Sequence, residues 1–267
     1  MINERIYLDD QKKSYIDSYV TLDSRIEPRD AILVIPGGAY SHVCLDREGE
    51  CVALAFASRG INAFVLKYRV GEGEYFPNQL IDSARAMAYI KNNAEKYHIN
   101  PDRVFAVGFS AGGHLVGTLA TMYSEAEELL GLQKDIARPR GVIFGYPVVS
   151  AFPPANEGSF RNLLGKPFSD LTYEERMRFS IEKRITENTP PAFIWHTAED
   201  EGVPPHGSLD LAKAYVEAGV TVELHLYPYG PHGTALGMKM TSAGNESYIQ
   251  PKIQEWLEES VAWIKTV

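Results

Sequence analysis

Apolar residues fall into short unbroken runs, separated by stretches where they recur every three or four positions. Unbroken runs predict strands buried on both faces. Ala31–Ile35 is such a run, and Ile61–Leu66, Arg103–Val107, Gly141–Tyr146, Ala192–His196 and Val220–Tyr227 are the further strands expected. The longer spacing predicts helices over Arg47–Arg59, Asn78–Tyr97, Ala111–Tyr123, Leu209–Ala218 and Ile253–Ile264. Gly60 and Gly219 stop two of them, and Pro251 lies near the start of the last. Residues 2–8 and 14–22 read as early strands joined by a polar turn. Residues 67–77 read as loop, and Asn100-Pro101-Asp102 as a turn.

Alternating strands and helices predict an α/β fold, a mostly parallel sheet with helices on both faces. The alternation breaks over residues 150–190, which hold Pro153-Pro154 and a charged helical piece, Tyr173–Arg184. That stretch is expected to be a small cap-like insertion over the site, within a single domain spanning residues 1–267.

Composition narrows the partners. The 267 residues carry 26 basic and 35 acidic side chains, a net charge of −9. No basic face is evident, which argues against nucleic acid and against anionic membranes. No stretch approaches a membrane-spanning length, and Met1–Asp10 holds no apolar signal core, so a cytoplasmic location is expected. Cys44 and Cys51 offer no disulfide framework. No histidine pair has metal-ligand spacing, so neither a metal nor another cofactor is expected. A homo-oligomer stays open.

The chemistry concentrates at Val104–Gly113, where an apolar strand runs through Gly108-Phe109-Ser110-Ala111-Gly112 into a helix. Gly-x-Ser-x-Gly at a strand-to-helix turn is a nucleophile elbow: a strained serine held above the sheet by small neighbours. A serine hydroxyl needs a base within hydrogen-bond reach, and the base needs an orienting acid. In this layout the order is serine, acid, histidine. Asp200 follows the strand at 192–196, and its Asp-x-x-Val-Pro spacing favours it over Glu199 and Glu201. His232 follows the last strand in Pro-His-Gly, where small neighbours let an imidazole reach over the sheet edge. His114 and His225 lie inside elements, His196 at a strand end, and His42, His98 and His206 in loops or at helix edges. Pro36-Gly37-Gly38-Ala39 follows the first buried strand. The amide of Gly38 or Ala39, with that of Ala111, is expected to face a developing oxyanion.

Together these residues resemble the α/β-hydrolase superfamily, and more narrowly its bacterial acetyl-xylan and carbohydrate esterases and lipase-like sugar hydrolases. The matching pieces are Pro36–Tyr40, Glu48-Gly49-Glu50, residues 63–70, Gly108–His114, residues 189–200 and Pro231-His232-Gly233. The resemblance runs from about residue 30 to the end. It implies Ser110 as nucleophile, His232 as general base and Asp200 as orienting acid. Ala39 stands where the family often has a third glycine; its N–H is kept and its backbone freedom reduced.

The expected activity is a serine carboxylesterase that removes short acyl groups, acetyl above all, from a small-molecule ester such as an acetylated sugar, with an acyl-enzyme intermediate. Tyr40, Tyr68, Tyr75, Tyr146 and Tyr229 are expected to wall a pocket and stack on a sugar face. A small-substrate amidase, formamidase or peptidase of the same fold, and a non-catalytic binding protein, are the alternatives.

Overall fold

The computed structural model describes residues 2–22 and 27–267. Its core is an eight-stranded sheet in the order β1-β2-β4-β3-β5-β6-β7-β8. Strands β3 (Arg29–Ile35), β4 (Asn62–Lys67), β5 (Ile99–Phe109), β6 (Val142–Gly145), β7 (Ala192–Thr197) and β8 (Val222–Tyr227) run parallel. The short β1 (Arg5–Tyr7) and β2 (Tyr15–Tyr19) add an antiparallel edge. All parallel strands therefore end on the same rim.

The alternation of side chains along each strand divides the core in two. Ala31, Leu33 and Ile35 of β3 join one cluster, and Ile32 and Val34 join the other. The first cluster is closed by α2 (Asn78–Asn92), α4 (Ala111–Leu130) and α7 (His206–Glu217), through residues such as Leu80, Leu115 and Leu211. The second is closed by α1 (Cys51–Ala57) and α8 (Glu255–Ile264), through Val52, Phe56, Trp256 and Trp263.

Several expected elements differ. The helix expected over Asn78–Tyr97 breaks at Asn93, whose side chain donates to the Tyr89 carbonyl and competes with the ladder; a short α3 (Ala94–Tyr97) follows. The turn expected at Asn100–Asp102 lies within β5, where the register against β3 slips between Arg29 and Ala31. Helix α4 runs seven residues beyond Tyr123, to Leu130. Its last turns look polar in sequence, but Glu127 is buried and accepts the amides of Asp135 and Ala137.

The helix expected over Arg47–Arg59 starts with a wide turn, Leu45–Glu50, in which the Cys51 amide bonds back to the Asp46 carbonyl. Such i→i+5 turns inside helices occur often at functional sites. Residues 150–190 form α5 (Glu157–Leu164), α6 (Tyr173–Phe179) and two single turns. Only their first part is seen to reach the rim: Asn162 donates to the Ala39 carbonyl at 2.8 Å, and Asn156 to that of Gly202 at 2.9 Å. The turn at Ile181 packs instead on α4 and α7. Among the described residues no helix is long and apolar enough to cross a membrane.

Candidate active site

Ser110 stands between β5 and α4 with φ 53° and ψ −122°, a left-handed region that L residues enter only under constraint. The constraint is the crossing of the flanking chain. A Cβ on Gly108 would lie 2.3 Å from the Gly112 carbonyl oxygen, and one on Gly112 would lie 2.1 Å from that of Ile35. No side chain fits at either place, so the backbone closes tightly and the serine hydroxyl is lifted to the rim.

There Ser110 Oγ lies 2.8 Å from His232 Nε2, and His232 Nδ1 lies 2.7 Å from Asp200 Oδ2. A carboxylate only accepts, so Nδ1 carries the proton and Nε2 is left to accept the serine hydroxyl. The structure thus brings together the three side chains expected from the sequence. Asp200 is itself fully engaged. Its Oδ1 accepts the amides of Gly202 and Val203 at 2.9 and 2.8 Å. Its Oδ2 also accepts from His196 Nε2 at 3.1 Å. Burial alone would raise the pKa of this carboxyl, but the hydrogen bonds from His196, His232 and Val203 outweigh burial and hold it well below the usual carboxylate range.

His196 braces Asp200 from within the core, a contact that its strand-end position concealed. It is wholly buried, and its Nδ1 accepts the Ser208 hydroxyl at 2.8 Å. Its i, i+4 spacing to Asp200 was the available signal. His114, by contrast, serves packing. Its Nε2 donates to the Phe179 carbonyl and its Nδ1 accepts the Tyr40 hydroxyl, each at 2.8 Å. Burial pushes its pKa down to about 4, against the pull of the Phe179 carbonyl.

A cavity of ≈ 250 Å³ opens at the serine, lined by Gly38, Ala39, His42, Cys44, Arg47, Glu48, Asn156, Tyr248 and the loop glycines beside His232. Among the described residues, the amides of Gly38 and Ala39 donate to no protein acceptor. Ala111 begins α4, so its amide has no partner within the helix. Three donors are therefore free around Ser110, and the choice between Gly38 and Ala39 stays open. A groove of ≈ 820 Å³ adjoins this cavity, sharing Gly202, His232 and Tyr248 and lined also by Glu199, Glu201, Ser247 and Gln250.

The expected tyrosine wall is not there. Tyr68 and Tyr146 are buried, and their hydroxyls donate to the Pro36 carbonyl and to Glu48. Tyr40 is also buried and faces His114; what it lines is a separate cavity of ≈ 460 Å³, shared with Tyr75, Arg161 and Asn162. Tyr229 is 67% exposed and lines none of these spaces. Loop aromatics were read as walls, whereas three of them find buried acceptors. Arg47, Asn156 and Tyr248, which do line the cavity at Ser110, gave no sequence signal of their own.

A mostly parallel sheet with a serine elbow and a histidine loop on its rim is the α/β-hydrolase fold. The chain belongs to the BD-FAE family, whose model matches residues 16–215. It is 41% identical over 209 residues to endo-1,4-beta-xylanase B of Butyrivibrio fibrisolvens, covering 77% of this chain and 32% of that protein. It is 31% identical over 213 residues to the acetylxylan esterase of Xylanibacter ruminicola, covering 78% of this chain and 41% of that protein. The chain thus spans roughly a third to two fifths of the length of these two relatives. The crystal structure of an acetyl ester-xyloside bifunctional hydrolase from Caldicellulosiruptor lactoaceticus superposes with a TM-score of 0.83 at 30% identity, covering 98% of this chain and 96% of that one.

Proposed function

We propose that the chain is a serine carboxylesterase that removes short acyl groups, acetyl foremost, from acylated sugars. The observation that carries this reading is the hydrogen-bonded series Ser110–His232–Asp200 beside the free amides of Gly38, Ala39 and Ala111. Ser110 Oγ attacks the ester carbonyl carbon and passes its proton to His232 Nε2. Negative charge builds on the carbonyl oxygen, and the amides receive it; one such donor is worth roughly 10²–10³ in kcat. As the tetrahedral intermediate collapses, His232 returns the proton to the leaving alcohol oxygen. Water, with His232 again as base, then cleaves the acyl-enzyme. Asp200 holds the imidazole in the tautomer this requires and stabilises the imidazolium.

The dimensions favour a small acyl group and a large alcohol. The leaving oxygen takes its proton from His232, so the alcohol lies on that flank, where the ≈ 820 Å³ groove offers carboxylates, a hydroxyl, an amide and a phenol to sugar hydroxyls. The ≈ 250 Å³ at Ser110 falls below the roughly 300–1,000 Å³ of sites that enclose drug-sized ligands. The printed names of the acetylxylan esterase and of the acetyl ester-xyloside hydrolase support the same substrate class.

A p-nitrophenyl ester series and acetate release from acetylated xylo-oligosaccharides test the reading. Acetate esters should turn over fastest, and a fluorophosphonate should label Ser110. Equal or faster turnover of octanoate would overturn the short acyl preference. Absence of both labelling and hydrolysis would overturn the mechanism.

A further inference from the structure

We infer that Glu48 is a positioning residue, acting with Tyr146 to fix the loop that offers amides to the oxyanion relative to the loop that carries His232. The inference rests on the proposed esterase mechanism. Glu48 is only 2% exposed, and its two carboxylate oxygens reach different parts of the site. Oε2 accepts the Gly37 amide at 2.7 Å, and Oε1 accepts the Tyr146 hydroxyl at 2.8 Å. The Tyr146 oxygen in turn accepts the Ala235 amide at 3.0 Å. Gly37 precedes the oxyanion amides, and Ala235 lies three residues past His232. The ring of Tyr146 also stands edge-on to the His232 imidazole, with centroids 5.0 Å apart. One carboxylate and one phenol therefore tie both loops together beneath the reacting atoms.

Two further observations point the same way. A Cβ on Gly37 would sit 2.9 Å from Glu48 Oε2 and 2.9 Å from Ser110 Cβ, so this contact lies directly against the nucleophile. Ala39, Tyr146 and Ala235 have φ of 51°, 36° and 50°. Non-glycine residues hold such values only where their surroundings enforce them, and the Glu48 and Tyr146 hydrogen bonds are on the spot to do so. Both groups facing Glu48 are donors, and each finds a carboxylate oxygen as acceptor. Glu48 borders the cavity at Ser110, but both of its oxygens are taken by Gly37 and Tyr146. Glu48 and Tyr146 each act through the placement of other groups, and a displacement of about 1 Å at a catalytic group can cost about 10²-fold in rate.

The test measures kcat and KM for p-nitrophenyl acetate, normalised to fluorophosphonate-titrated sites, in the wild type, E48A, E48Q and Y146F. E48A should lose roughly 10²-fold in kcat with KM changed less than about threefold. E48Q keeps an acceptor for the Gly37 amide but turns an NH₂ toward the Tyr146 hydroxyl, so its kcat should fall only about as far as that of Y146F. Y146F keeps the ring against His232 and removes only the hydroxyl; its kcat should fall roughly tenfold. If E48A does not fold, Y146F and E48Q carry the test. An unchanged kcat per titrated site in Y146F, or a loss in E48A that appears equally in KM, overturns the inference. A wild type that neither labels nor hydrolyses esters overturns the esterase reading instead, so the two failures are distinguishable.

Discussion

His196 and Asp200 are four residues apart in sequence, and their buried side chains meet at 3.1 Å on the carboxylate oxygen that also holds His232. The oxygen is thereby shared between a structural imidazole and one at the site. Replacing His196 with alanine should leave the Ser208 hydroxyl without its acceptor and Asp200 with one donor fewer. The expected cost is about 2 kcal/mol of stability, read as a lower midpoint of urea denaturation. Turnover should fall as well, because Asp200 gains freedom to turn.

Replacing Ser110 with alanine should abolish turnover by roughly a millionfold while the fold persists. Glycine at the same position should be more stable than alanine by about 1 kcal/mol, since φ 53° strains any residue with a Cβ. Thermal melts of S110A and S110G check this; an equal or lower melting temperature for S110G would argue against stored strain.

Asp200→Asn should lower kcat roughly 10⁴-fold with little change in KM, because an amide can present its NH₂ to Nδ1 and favour the wrong tautomer. Steady-state kinetics with a short-chain ester measures both values.

Acid should weaken the fold through His114. Its folded pKa of about 4 lies below the usual histidine value. Between about 6.5 and 4 the unfolded chain takes up a proton that the folded chain refuses, so stability falls with pH by up to about 3 kcal/mol. The contribution is whole above the unfolded value and is lost once pH falls through the folded one. Urea denaturation across that window should show a flatter dependence for His114→Gln than for the wild type.

What could be read from the sequence was what neighbouring residues determine. Mostly apolar runs marked the inner parallel strands because strands covered on both faces have no polar side, whereas β8 at the sheet edge carries Glu223 and His225. Ser110 and His232 could be picked out because each follows a strand among small residues, and Asp200 because it follows a strand with Val203-Pro204 spaced after it. The wide turn at Leu45–Glu50 and the break at Asn93 were not legible, since each depends on one hydrogen bond that helical periodicity does not register. Glu48 stood out in sequence only within the Glu48-Gly49-Glu50 piece of the family resemblance; its hydrogen bonds go to Gly37 and Tyr146, which are 11 and 98 residues away. Tyr68 and Tyr146 do not wall the cavity at Ser110 for the same reason, because what their hydroxyls meet lies far along the chain.

The six residues Leu45–Glu50 act as a phase shifter between two parts of the chain. An ordinary α-helix advances about 100° per residue and an i→i+5 turn less, so closing this stretch to regular helix would change the direction of Arg47 and Glu48 relative to Val52 and Phe56. The downstream face is anchored in the core and cannot follow. Length in this stretch is thus constrained more tightly than composition: a conservative exchange could leave the geometry intact, whereas a shortening by one would swing the carboxylate away from Gly37.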